Sequence, residues 1–191
     1  MKYKIGVFGS AVGSTKSVEK LASELGKEIA INDCELLTGG CGGLPQIAAK
    51  SAYRMGGKTI GYSPAHNLKE HTEVHDFPTE GYSEFVFVPE ETPNSNNKFF
   101  SRKYRNVISC FDCDAGIIVG GRIGTLNEFT NLYDMEKIIG VLQSSNGITD
   151  LIPLIVKTSN KKTGAIIVYD KYPKLLVNKL LKKLGEKNEL S

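Results

Sequence analysis

Between Arg105 and Glu128 the chain places an arginine, a glycine-rich turn and a glutamate around one short apolar segment, Asp114-Ala115-Gly116-Ile117-Ile118-Val119. Each of the three brings a distinct chemistry. A guanidinium offers a planar fork of donors to phosphate, to ribose hydroxyls or to a leaving base. A carboxylate beside a ribose can stabilise the positive charge that builds as an N-glycosidic bond breaks, and can orient the attacking water. The run Gly120-Gly121-Arg122-Ile123-Gly124-Thr125 turns tightly and opens an apolar-periodic helix. Such a helix start gathers orphan N–H groups and the positive end of a dipole, which suits phosphate. A nucleotide-type ligand is therefore expected. Arg122 adds a bulky cation inside this loop: it clamps further phosphate, obstructs the site, or points to solvent, and an inward placement would suit a ligand more anionic than a nucleoside monophosphate. Plainer readings stand beside these, with Glu128 serving the helix dipole and Arg105 acting as a surface or salt-bridging arginine.

The elements that must position these residues alternate strand and helix. Strands are expected at 3–9, 35–38, 58–62, 84–89, 114–119, 138–142 and 165–169. Helices are expected at 15–31, 44–55, 97–111, 123–135, 150–157 and 172–184. Val18, Leu21, Leu25 and Ile29 share one face of the first helix, and Pro45 suits the first turn of the second. This alternation predicts an α/β fold, a doubly wound, Rossmann-like parallel sheet with helices on both faces, in one domain over residues 1–191. The first strand leads into Gly9-Ser10-Ala11-Val12-Gly13-Ser14, which lacks the GxGxxG spacing, so redox use of a nicotinamide cofactor is not expected.

The block from Arg105 to Glu128 resembles the lonely-guy (LOG) family, long labelled lysine decarboxylases, and its relatives the molybdenum-cofactor carrier proteins. That family has an arginine ahead of the strand and then PGGxGTxxE. Arg105 falls on the family's catalytic arginine, and Gly121, Gly124, Thr125 and Glu128 fall on its GG, GT and final glutamate. Gly120 stands in place of the proline, Arg122 in place of the next glycine, and Asn106 in place of a lysine, the last as in the carrier-like branch. The resemblance implies one of two functions. Arg105 and Glu128 would hydrolyse a nucleoside 5′-monophosphate to base and ribose 5-phosphate without any cofactor, or the protein would hold and hand on a phosphate-bearing ligand such as molybdenum cofactor. It also implies a homodimer. The turn after the first strand borders the ligand pocket in the family, so Gly9, Ser10, Gly40, Gly42 and Gly43 are expected to join Gly120, Gly121, Arg122, Gly124 and Thr125 around the ligand. The alternative for the 39–43 cluster is that its glycines close tight turns. Nothing in the chain reads as a pyridoxal-phosphate Schiff-base site.

Composition sets the remaining bounds. The chain has 191 residues, 40% of them hydrophobic, and a net charge of +3. So mild a charge argues against a nucleic-acid partner, and the apolar runs fall far short of a membrane span. Met1-Lys2 leads directly into an apolar strand, so a cytoplasmic location is expected. Cys110 and Cys113 form a lone CxxC without a matching second pair, and read as small buried thiols rather than metal ligands. Cys41 lies among glycines whose amide dipoles favour a thiolate, but no histidine partner is evident. His66, His71 and His75 read as solvated loop residues, and no metal site is expected. Residues 92–97 (TPNSNN) read as a turn suited to act as a lid, followed by Lys98, Arg102 and Lys103 as a basic entrance to the third helix.

Overall fold

Strands buried on both faces need continuous apolar runs, and the middle strands of this chain have them. In the computed structural model, which describes residues 2–189, β1 (Lys4–Gly9), β2 (Glu35–Thr38), β3 (Thr59–Tyr62), β4 (Glu84–Val86), β5 (Ala115–Val119), β6 (Ile138–Leu142) and β7 (Ile166–Asp170) form one sheet. All neighbours pair in parallel, in the order β4-β3-β2-β1-β5-β6-β7. Every residue of β5 and β6 is buried. The intervening helices are α1 (Lys16–Ile31), α2 (Leu44–Arg54), α3 (Lys98–Asp112), α4 (Ile123–Asp134), α5 (Ile148–Ser159) and α6 (Pro173–Glu189). Side chains alternate across the sheet. Ile5, Val7, Ile117 and Val119 pack beneath α1, α2 and α6. Phe8, Leu37, Ile118 and Val141 pack with residues of α3, α4 and α5. The doubly wound, Rossmann-like architecture expected from the sequence is the one observed.

The order reverses direction between β1 and β5, the switch point at which open α/β sheets bind ligands. Gly9 pairs with Val119, so these two strands finish level with one another. The chain passes from edge strand β4 to central β5 through residues 87–97 and α3, the one crossing between the two halves of the sheet. Side-chain caps fix where α1 and α3 begin: Thr15 Oγ1 accepts from the Val18 amide (3.4 Å), and Asn97 Oδ1 accepts from the amides of Phe99 (2.9 Å) and Phe100 (3.3 Å).

One expectation about the 63–89 region fails. A single π-helical turn, Glu70–Val74, carries His71 into the interior, where it is fully buried rather than solvated. His66 is half-buried and His75 has only 9% of its side chain exposed. His71 Nδ1 lies 2.8 Å from Ser63 Oγ and Nε2 lies 3.2 Å from the Pro78 carbonyl, with the Phe85 and Phe77 rings against it. The physical reason is that short edge strand β4 needs a cover, and the imidazole supplies an aromatic face with both nitrogens satisfied. Burial lowers the pKa of His71 below its ordinary value. The folded protein thus keeps His71 neutral, while the unfolded chain takes up a proton below about pH 6.5. Stability should fall as pH drops through that range, and the fall should be shallower in His71→Gln. Denaturant midpoints from pH 5 to 8 would check this, and equal slopes would exclude His71 as the source.

Candidate functional site

Every strand's carboxyl end feeds a loop at the same edge of the sheet, and four of these loops are tied in two pairs by hydrogen bonds. The Leu44 amide donates to the Ser10 carbonyl (2.9 Å), which joins the loops after β1 and β2. The Gly120 amide donates to Ser145 Oγ (2.8 Å) and the Ile148 amide to the Gly121 carbonyl (3.0 Å), which joins the loops after β5 and β6. Ser145 in turn donates to the Leu142 carbonyl (2.5 Å). The frame around the β1/β5 switch point is thus built from backbone and one serine.

Two cavities open on this frame. The smaller, about 170 Å³, is lined by Gly9, Ser10, Arg122, Gly124 and Thr125 together with Arg105 and Glu128. The larger, about 230 Å³, shares Ser10 and Arg122 and adds Gly120 and Gly121. Gly40, Gly42 and Gly43 line neither. Gly43 has φ +78°, and a Cβ there would lie 2.5 Å from Ala11 Cα, so its role is to let the two loops touch. The Gly40 amide donates to Thr38 Oγ1 (3.0 Å), closing the turn after β2. Residues 92–97 also line neither cavity.

Arg105 reaches in from α3. Its Nη1 donates to the carbonyls of Gly39 and Tyr62 (3.3 Å to the latter), which tethers the guanidinium across the ends of β2 and β3, while Nε is buried without a partner. A Cβ on Gly39 would sit 2.8 Å from Arg105 Cζ, so this glycine is the condition for the arginine's position.

Glu128 lies in the second turn of α4, not the first, and α4 has no acidic residue in its first turn. Service to the helix dipole therefore does not explain it. Glu128 is 8% exposed. Burial raises its pKa to about 7, against the opposing pull of Arg105 and Lys103. No ion pair within 4 Å joins it to Arg105 among the described residues. A carboxyl that is close to half-ionised at neutral pH is poised to give and take a proton.

Arg122 is the N-cap residue of α4 and makes no side-chain cap, so the first amides of that helix are left for another acceptor. Sequence reasoning missed Ala11, Cys41 and Asn106 as lining of the smaller cavity, Ser145-Asn146-Gly147 of the larger, and Gly39 beneath the Arg105 guanidinium. The Ser-Asn-Gly turn after β6 was a readable signal, because this fold sends every such loop to the ligand edge. Asn106 is 5% exposed; its Nδ2 donates to Asn127 Oδ1 (3.1 Å) and its Oδ1 has no partner. Cys110 and Cys113 are buried thiols, both with raised pKa, Cys113 to about 12.

The model of the SLOG cluster4 family matches residues 2–177. The chain belongs to the SLOG cluster4 family. Solved structures similar to this SLOG cluster4 protein share its fold. The molybdenum cofactor binding protein from Rippkaea orientalis is 25% identical, with 96% of this chain and 98% of that one covered and a TM-score of 0.74. The molybdenum cofactor carrier protein from Chlamydomonas reinhardtii is 20% identical, with 97% and 99% covered and a TM-score of 0.69. DNA processing protein A from Helicobacter pylori, described for its single-stranded DNA binding mode, is 20% identical, with 95% and 81% covered and a TM-score of 0.61. The last corrects an expectation: a fold shared with a DNA-binding protein does not exclude nucleic acid, and a net charge averaged over the whole chain was too coarse a ground for doing so. No curated protein matches the SLOG cluster4 chain in sequence. Among its described residues no helix is long and apolar enough to cross a membrane.

Proposed function

We propose that this SLOG cluster4 protein binds a nucleoside 5′-monophosphate at the β1/β5 switch point and hydrolyses its N-glycosidic bond to base and ribose 5-phosphate. The observation that carries this reading is Glu128: a buried carboxyl with a pKa of about 7, in one cavity with Arg105 and the uncapped start of α4. The phosphate takes the first amides of α4 and the Arg122 guanidinium. The ribose then extends towards Glu128. As the bond from C1′ to the base nitrogen breaks, its electron pair leaves with the base, and the Glu128 carboxylate stabilises the cationic ribose. Glu128 takes a proton from the water whose oxygen bonds to C1′ and returns it to solvent, and the departing base takes its proton from solvent. Arg105, held by two carbonyls, supplies a fixed cation in the wall of the same cavity. Water and side chains suffice, so no cofactor is needed.

The test is ribose 5-phosphate release from a panel of nucleoside monophosphates, run beside Glu128→Ala. Release that disappears in the variant supports the reading, and absence of release from every monophosphate sinks it. A second reading, a non-catalytic holder of a phosphate-bearing ligand such as molybdenum cofactor, is favoured by the 25% identity to the Rippkaea orientalis protein over nearly the whole chain. Binding without release would support that reading.

A further inference from the structure

The two cavities at the switch point differ in chemistry. The smaller contains the carboxylate of Glu128, whereas no acidic residue lines the larger. The larger has an apolar floor of Val18 and Leu44, with the exposed Val12 at its mouth. Around it stand Thr15, Arg122 and Gly147, the N-cap residues of α1, α4 and α5. Of these three helix starts only that of α1 is capped by a side chain. Three converging dipoles and one cation favour anionic groups at the rim, and the aliphatic floor favours an uncharged ring or chain beyond them. Arg122 is exposed, has no salt-bridge partner among the described residues and lines both cavities. A monophosphate whose phosphate meets Arg122 and whose ribose meets Glu128 would leave the Val18–Leu44 floor uncovered.

We infer that the ligand has two parts joined through a diphosphate: one nucleoside enters the smaller cavity beside Glu128, the diphosphate lies at Arg122 and the start of α4, and the second part fills the larger cavity. This rests on the phosphate placement proposed above and extends it from a monophosphate to a diphosphate-linked conjugate. Arg122, at a position where the resembling enzymes have glycine, then serves with its single guanidinium the phosphates that face both cavities.

Calorimetric titration of the full-length protein would compare adenosine and guanosine monophosphates with the corresponding P1,P2-dinucleoside diphosphates. For the preferred base, the diphosphate-linked compound should bind at least about tenfold more tightly than the monophosphate. Val12→Trp adds bulk at the mouth of the larger cavity, where the Val12 side chain is 59% exposed and fold disruption is not expected. It should shrink that preference to below about threefold, as should Arg122→Ala. Equal affinity for the two ligand classes, or a preference that survives Val12→Trp in full, would overturn the inference while leaving monophosphate binding intact. Binding of the linked compound alone would support the inference and sink the monophosphate as substrate, and binding of neither would sink both.

Discussion

Glu128→Gln should abolish ribose 5-phosphate release and, above pH 7, raise the melting temperature. The first effect follows from the loss of both the charge facing the ribose and the proton acceptor, and should exceed about 100-fold. The second follows from linkage. The carboxyl of Glu128 has a pKa of about 7 in the folded protein, raised by burial from 4.5. The folded protein therefore binds more proton than the unfolded chain between those values, and raising the pH through that window removes stability. The gap between 4.5 and about 7 corresponds to roughly 3 kcal/mol as an upper bound. An amide of the same shape carries no charge at any of these pH values. The variant should match the wild type near pH 4.5 and exceed it at pH 8.5, by up to roughly 6–12 °C for a chain of this length. Thermal melts at the two pH values check this, and identical curves at pH 8.5 would mean that the carboxyl is hydrated. In the wild type, the release rate should rise as pH passes through about 7 and the carboxylate forms.

A pair of glycine variants provides the second large effect. Gly39→Ala forces a methyl group into the Arg105 guanidinium, and that guanidinium is held by the Gly39 and Tyr62 carbonyls. The group displaced is the far end of a flexible side chain, so the cost to stability should be small, but that group belongs to the proposed site. Ligand affinity and release should both fall by more than about tenfold, even at temperatures where the variant remains folded. Gly42→Ala, in the same turn, meets nothing closer than 3.9 Å and needs no left-handed backbone, so it should be silent in both assays. Two neighbouring glycines with opposite outcomes would show that Arg105 placement, rather than general flexibility of the 39–43 turn, governs binding. Equal behaviour of the two variants would refute that account.

Much of the fold was legible because the central strands must be buried on both faces. Ala115–Val119 and Ile138–Leu142 are apolar runs too short for helices and are bounded by turn residues. The convergence of Arg105, Arg122 and Glu128 on one cavity was legible for a related reason, since β5 carries its glycine turn to the carboxyl edge of the sheet. His71 was not legible. A π-helical turn has no hydrophobic period of its own, and the burial of His71 depends on Phe77 and Phe85, which lie outside that turn. The glycines at 40 and 43 were visible as a cluster, but their work of closing a turn and admitting a neighbouring loop is a property of packing between segments distant in sequence. Arg105 was expected to offer its whole fork to a ligand, yet Nη1 is committed to two carbonyls that no local pattern announces. The helix-dipole reading of Glu128 was avoidable, because 3.6 residues per turn put the sixth residue of α4 in the second turn.

The single crossing between β4 and β5 gives the cleft an unusual division of labour. The segment 2–90 supplies Gly9, Ser10 and the two carbonyls that hold Arg105, whereas the segment 98–189 supplies Arg105, Arg122 and Glu128. Across the sheet, the halves meet only where β1 pairs with β5. Neither half alone contains the proposed ligand site, which is completed by their reunion. A backbone break within the turn at 92–97 would divide the protein into fragments whose reassembly could be read as recovered binding, so the cleft reports on association of its own halves as directly as on the molecule it holds.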